Sequence, residues 1–342
     1  MSIICRIHGA RDLRIEEVPQ AELATTDVEL RLGAGGICGS DLHYFQHARV
    51  GNFSLREPLI PGHEVSGVVA RIGSAVTRVA VGDRVAINPS HACGHCDYCR
   101  GGRLNLCKHM RFLGSAGLFP HVQGMFREHF VMGQAQLTPI TEDISLGEIA
   151  CAEPLSIGLH AVHRAGPLLG KTVLITGGGT IGCMSVMAAR LAGAAQVIVC
   201  DVAERPLTVA RSVGADQSIR SDQVSAADLA DIADIAIEAA GSPAALATCL
   251  QATRKGGRIV QVGTLPGEGL HFPANNIMSR ELDYVGAFRA ALAWDWAVQA
   301  IRSKRLDVKP LISAQLPLAD ALQAFELALD KTRSTKVQVV CA

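Results

Sequence analysis

The chain has 342 residues, 49% hydrophobic and 19% charged, with Lys plus Arg and Asp plus Glu balanced at 32 each. That length asks for two domains, the apolar content excludes global disorder, and the neutral balance excludes a basic field built for nucleic acid. No apolar run reaches the roughly 18–20 residues that span a bilayer, and the opening Met1-Ser2-Ile3-Ile4-Cys5-Arg6 lacks the pattern of a secretory signal. A cytoplasmic protein with neither nucleic acid nor membrane as partner is expected. The 11 cysteines fit a reducing compartment, since the number is odd and four crowd between Cys93 and Cys107.

Residues 1–32 alternate apolar and polar, as in Val28-Glu29-Leu30-Arg31-Leu32, and predict short antiparallel strands. Next comes Cys38-Gly39-Ser40-Asp41-Leu42-His43, a thiol, a hydroxyl, a carboxylate and an imidazole in six residues. Gly62-His63-Glu64 adds a second imidazole and carboxylate. One sulfur, one nitrogen and one oxygen suit Zn²⁺, and three protein ligands leave a fourth position for water or substrate. Each residue alone has a plainer reading. Cys38 fits a small buried hydrophobe, His63 a core histidine, Ser40 a turn hydroxyl and Asp41 a helix cap. Further strands over 64–72 and 83–87, with glycine turns between them, predict a small β-barrel or sandwich.

Cys93, Cys96, Cys99 and Cys107 form C-x₂-C-x₂-C-x₇-C, the spacing of a closed tetrahedral Cys₄ zinc site. An iron–sulfur cluster uses similar runs, but nothing else in the chain looks like an electron-transfer protein. With every position filled, such a site holds a loop and does no chemistry. His95, inside the lobe, is read as solvent-facing. Residues 110–150 are loop-rich, with a strand over 126–131. Cys151-Ala152-Glu153-Pro154 then opens a helix over 157–164, so Glu153 fits a helix-end carboxylate as well as a functional one.

The composition changes at Lys171-Thr172-Val173-Leu174-Ile175-Thr176, a buried parallel-strand run. It enters Gly177-Gly178-Gly179-Thr180-Ile181-Gly182, a helix over 183–192, a second apolar strand and Asp201. The glycines permit a tight turn and backbone approach to a pyrophosphate, and the helix N-terminus binds the anion. Asp201 would accept from the ribose hydroxyls and repel a 2′-phosphate, favouring NAD over NADP, although Arg205 nearby could accommodate a phosphate. Strands over 234–241, 257–263 and 282–287, with helices over 243–253 and 290–302, continue one doubly wound sheet. Its strand ends, including Val262 and Phe288, should line the cofactor crevice. A helix over 318–329 and a strand over 336–340 close the chain.

Taken together, Cys38-Gly39-Ser40-Asp41, Gly62-His63-Glu64, the four-cysteine lobe, Glu153-Pro154, Gly177–Gly182 and Asp201 resemble the zinc-dependent medium-chain dehydrogenases over essentially the whole length. The resemblance implies an α/β fold in two parts. Residues 1–148 with 287–342 would form a β-rich, barrel-like (GroES-like) catalytic domain, and 149–286 a doubly wound Rossmann NAD-binding domain. Two zinc ions per chain follow, one structural and one catalytic. The catalytic ion would be held by Cys38 and His63 with Glu64, Glu153 or each by turns. Glu153 falls where alcohol dehydrogenases carry cysteine and polyol dehydrogenases glutamate, which moves the chain toward the polyol branch.

Within that branch Cys38–Tyr44 resembles the sorbitol dehydrogenases. Arg49–Phe53, Pro58 and Gly62-His63-Glu64 are closer to the bacterial L-idonate 5-dehydrogenase group. The implied reaction oxidises a secondary alcohol of a sugar acid, or alternatively of a neutral polyol, with hydride transfer to NAD. Ser40 would accept the substrate proton, His43 relay it, and Asp41 orient His63. Tyr44, Phe53, Glu153 and Arg289 are the substrate candidates, with Arg289 ahead of Arg49 and His47 for a carboxylate. A homodimer or homotetramer is implied, with a contact around 282–285. The competing readings are a non-catalytic NAD-binding relative and a metal-poor reductase.

Overall fold

A computed structural model describes residues 1–341 other than 226, 268, 269, 271 and 291. The chain divides into two compact units. One comprises Met1–Glu153, Ala297–Asp330 and Lys336–Ala342, and the other Pro154–Trp296 and Lys331–Thr335. Both main crossings fall inside helices, Ala152–Ala165 and Ala293–Arg302. Helical periodicity offers no reason to divide such a segment; the sequence-based boundaries, 148/149 and 286/287, fall in the short helix Leu146–Ala150 and at the end of the strand Asp283–Gly286. The helix expected over 290–302 begins at Ala293, and position 291 is outside the described residues.

In the first unit the strand Asp27–Gly36 is central, pairing antiparallel with Glu64–Ile72, His129–Gly133 and Lys336–Val340. Arg84–Ile87 and Leu137–Pro139 extend the sheet on one side and Ile312–Pro317 on the other. The register sets Gly36 opposite both Glu64 and Gln338, so the strand that carries Glu64 and the last strand of the chain flank one glycine. The alternation read in Val28–Leu32 buries Val28, Leu30 and Leu32. Phe45 and Phe126 pack edge-on against Phe325 at ring separations of 5.6 and 6.2 Å. The strand expected over 126–131 starts at His129 instead. Phe126 bonds elsewhere, its N–H donating to the Pro61 carbonyl and its carbonyl accepting from Cys5.

The second unit is a six-stranded parallel sheet ordered Gln217–Arg220, Gln196–Asp201, Thr172–Thr176, Ala233–Glu238, Thr253–Gln261 and Asp283–Gly286. Chain order reverses between Thr172–Thr176 and Ala233–Glu238, the topological switch point where such sheets bind ligands. Both faces of the central strands are covered, so Val173, Leu174, Ile175, Val197 and Val199 are fully buried. Among the described residues no helix is long and apolar enough to cross a membrane.

On the helix Ala152–Ala165, His160 is 7% exposed, and its neighbour His163 meets Trp296 edge-on at 5.4 Å. Burial pushes His160 down to about 4, with the charges of His163 and Arg164 adding to the effect. Above its ordinary value near 6.5 this imidazole is neutral whether the chain is folded or not. Below that value only the unfolded chain takes up the proton, so stability falls as pH drops from 6.5 toward 4. Between pH 7.5 and 5, urea unfolding of the wild type should lose about 2 kcal/mol more than that of His160→Leu. Equal losses in the two proteins would contradict this.

Candidate functional site

Cys38 precedes the helix Gly39–His47, and Glu64 opens the strand Glu64–Ile72 directly after His63. These two segments bring together one ligand atom each from Cys38, His63 and Glu64, all within 4.8 Å of one another, a group that could hold a metal ion. Asp41 ties the segments to each other. Its Oδ2 accepts from the Cys38 N–H at 3.0 Å and its Oδ1 from the Gly62 N–H at 3.3 Å. The same carboxylate is fully buried and lies 3.7 Å from His63 Nδ1, a buried nitrogen with no hydrogen-bond partner. Asp41 is thus a cap that also faces the imidazole. Burial raises its pKa, opposed first by His63 and then by the Cys38 N–H.

The surroundings are crowded with negative charge. Burial pushes the Cys38 thiol up to about 12, and the Glu64 carboxylate adds to this, while Lys336 and a hydrogen bond with the Ser40 side chain act the other way. Glu153 is 7% exposed and stands in the first turn of Ala152–Ala165, not ahead of it. Burial raises it to about 8 against the opposing pull of His63, and Glu64 and Cys38 raise it further. It is not among the three residues that share the 4.8 Å group. A divalent cation reverses this balance, because it favours the thiolate and carboxylate forms that burial disfavours. The soft and borderline donor set of Cys38, His63 and Glu64 fits zinc.

Sequence reasoning missed Lys336. Its Nζ donates to Glu64 Oε2 at 2.5 Å and to the Ile37 carbonyl at 2.9 Å. Burial alone would lower its pKa, yet the Glu64 and Cys38 charges raise it. The available signal was one lysine on a strand, Lys336-Val337-Gln338-Val339-Val340, whose other residues are almost all buried.

In the cysteine lobe, Cys96 Sγ lies 3.5 Å from Cys99 Sγ and 4.0 Å from Cys107 Sγ, and Cys93 Sγ lies 4.0 Å from Cys99 Sγ. Backbone N–H groups of Cys93 and His109 donate to Cys107 Sγ at 3.2 and 3.3 Å. Donation from the Cys99 and Lys108 N–H groups lowers Cys96 to about 6, while burial and the hydrogen bond with Cys96 push Cys99 up to about 12. His95 is exposed.

In the second unit the helix Thr180–Leu191 starts immediately after the glycine turn. Gly177 has φ +90, and a Cβ there would meet Ala240 N at 2.8 Å across the switch point. A Cβ on Gly182 would meet the Gly177 carbonyl oxygen at 1.7 Å, so only glycine lets strand and helix pack this closely. Asp201 accepts from the Gly178 N–H at 2.7 Å and the Ala203 N–H at 2.9 Å. Thr180 donates its hydroxyl to the Thr335 carbonyl at 2.9 Å, and Ile181 is half-buried. Val262 donates its N–H to the Glu238 carbonyl at 2.9 Å. The Glu238 side chain, fully buried and also unforeseen, accepts from the Ala240 and Gly241 N–H groups and from Gln261, joining two loops at the strand ends.

The substrate candidates separate. Tyr44 is 3% exposed and its hydroxyl accepts from the Ala116 N–H at 3.0 Å, so its ring packs in the core. Phe53 is 47% exposed. Arg49 is exposed and donates to the Gly51 carbonyl. The Arg289 guanidinium lies 4.7 Å above the ring of the exposed Phe288, from a backbone with φ 56. Ser40 is half-buried, while His43, His47 and Arg205 are exposed.

A GroES-like unit with metal-type clusters and a doubly wound sheet with a glycine turn define a zinc-dependent, nicotinamide-linked dehydrogenase. Residues 24–142 match the family described as alcohol dehydrogenase GroES-like domain, and residues 180–303 that described as zinc-binding dehydrogenase. The chain belongs to the zinc-dependent medium-chain dehydrogenases, in their polyol branch. It is 40% identical to L-idonate 5-dehydrogenase (NAD(P)⁺) of Escherichia coli K12 over 91% of each chain. Sorbitol dehydrogenase of Gallus gallus is 36% identical over 98% of this chain and 95% of its own. The crystal structure of the Escherichia coli L-idonate enzyme superposes with a TM-score of 0.94 at 36% identity, covering 99% of this chain and 98% of that one. A zinc-binding dehydrogenase from Sinorhizobium meliloti bound to NADP superposes at 0.89 with 29% identity, covering 99% of each chain.

The two metal-type groups are separate in sequence, so they should empty independently. Zinc counted by mass spectrometry should fall from two per chain to one in Cys99→Ser, with nucleotide binding kept. Loss of both ions, or of neither, would contradict independent sites.

Proposed function

We propose that this protein oxidises a secondary alcohol of a sugar acid, L-idonate to 5-keto-D-gluconate, with NAD as hydride acceptor. The observation that carries the reading is the convergence of Cys38, His63 and Glu64 beside Ser40 in a chain 40% identical to an L-idonate 5-dehydrogenase. Zinc held there would supply a Lewis acid that lowers the pKa of the substrate hydroxyl, and NAD would take the hydride. The chain's own residues handle the proton. Ser40, half-buried beside Cys38, accepts it, and the exposed His43, three residues further along the same helix, passes it to solvent. Asp41 holds the Cys38 and Gly62 backbones and faces His63, which fixes the imidazole's orientation. Glu153 joins the cluster as a ligand or as a substrate contact, supported by its charge coupling to His63 and Cys38.

Asp201, with one oxygen turned toward the Gly178 N–H of the glycine turn and the other toward the Ala203 N–H, favours the ribose hydroxyls of NAD over the 2′-phosphate of NADP. Gly177, Gly179 and Gly182 shape the pyrophosphate turn. A second zinc on the four cysteines holds its loop. For the substrate carboxylate the cation is Arg289, already stacked on Phe288. The enzyme is read as a cytoplasmic homodimer or homotetramer joined through the edge strand Asp283–Gly286. An odd count of eleven cysteines, five of them assigned to metal, supports the reducing compartment.

The second reading, a sorbitol- or xylitol-type polyol dehydrogenase, is favoured by 36% identity to sorbitol dehydrogenase across 98% of the chain. NADH formation should be fastest, by kcat/KM, with L-idonate in a panel that includes D-sorbitol and xylitol. Arg289→Ala should cost L-idonate at least about tenfold more than D-sorbitol, since an Arg–carboxylate fork is directional. A sorbitol preference with equal losses would transfer the assignment to the second reading.

A further inference from the structure

The helix Gly39–His47 leads away from Cys38, and its two faces differ. Asp41, Tyr44 and Phe45 are buried against the rest of the unit. On the other side Ser40 is half-buried, and His43 and His47 are exposed. At 3.6 residues per turn, positions 40, 43 and 47 share one stripe, which runs from the neighbourhood of Cys38 to solvent. The helix keeps its geometry to the end, since the Ala48 N–H still donates to the Tyr44 carbonyl at 2.9 Å.

Two imidazoles four positions apart on one helix face are a pairing that chelates transition metals. The ring centres of His43 and His47 lie 5.9 Å apart, with the planes tilted by 39°. A metal–nitrogen bond of about 2 Å puts each ring centre roughly 3 Å from a shared ion, so both rings can reach one. Two other histidine pairs lie close, but His95 bonds the Cys93 carbonyl through Nδ1 at 2.8 Å, and His160 is buried. We propose that His43 and His47 form a site for a divalent transition-metal ion of the nickel, copper or zinc class, and that the bound ion stops turnover. The ion would occupy the imidazole that passes the substrate proton to solvent. This rests on the reading of His43 as the proton's exit. Two protein ligands leave the other positions to water, so the ion comes and goes with its concentration.

Nickel is the probe, because it takes imidazole ligands without the redox chemistry of copper. Tag-free, zinc-loaded protein is dialysed against Ni²⁺ in alkaline buffer, where imidazole is deprotonated, and both metals are counted per chain by mass spectrometry. One Ni²⁺ in addition to the zinc is expected in the wild type, and none in His43→Gln or His47→Gln. The same Ni²⁺ should lower wild-type kcat about tenfold, reversibly on dilution, and His47→Gln should need at least about tenfold more for that loss. A nickel count or an inhibition that His47→Gln shares with the wild type overturns the proposal. Nickel held through His47 with turnover unchanged overturns it as well, by removing His43 from the proton's path. If no substrate in the panel is oxidised even without nickel, the proposed function fails, while the nickel count still decides whether the two histidines bind metal.

Discussion

The governing constraint is charge balance in a space that excludes water. Asp41, Glu64 and Glu153 are all buried around His63 and the Cys38 thiol, and the buried Lys336 is set against them. Burial and mutual repulsion push Cys38 and Glu153 toward their protonated forms. A divalent cation is what such a set is short of, and the same repulsion makes the set selective for one. The remaining architecture of this unit serves to keep these groups together. Gly36 admits the Glu64 carboxylate, the last strand supplies Lys336, and Asp41 clamps the two ligand-bearing segments.

The nucleotide unit obeys a constraint of distance. A parallel sheet covered on both faces leaves its strand ends as the place where backbone is free to meet a ligand. The close approach of Gly177 to Ala240 and of Gly182 to Gly177 sets the turn there. Asp201 accepts from the Gly178 and Ala203 N–H groups, and Glu238 from those of Ala240 and Gly241, so each carboxylate ties down backbone at the strand ends. Rigidity at those loops fits a site that must hold a flexible dinucleotide in one pose.

Legibility in the sequence followed chain distance. The cysteine lobe spans fifteen residues, from Cys93 to Cys107, so its spacing alone declares it. The glycine turn and Asp201 likewise belong to one strand–turn–helix–strand unit. Asp41 was half legible: its role as a cap is local, whereas its approach to His63 depends on the packing of a second segment. Lys336 could not be read, because 272 positions separate it from Glu64 and only sheet register joins them. Tyr44 shows the converse. A tyrosine beside a catalytic motif suggests a substrate contact, but its hydroxyl is engaged by Ala116, 72 residues away. The crossings between units were hidden because they lie within continuous helices.

The account depends most on a metal at Cys38 and His63, distinct from the one on the cysteine lobe. Anomalous diffraction from crystals of the zinc-loaded protein, measured on both sides of the zinc edge, tests this directly. Two peaks per chain are predicted, one inside the Cys93, Cys96, Cys99 and Cys107 lobe and one bonded to Cys38 Sγ and an imidazole nitrogen of His63. A single peak in the lobe, with none at Cys38 in a protein that still oxidises its substrate, would contradict the account.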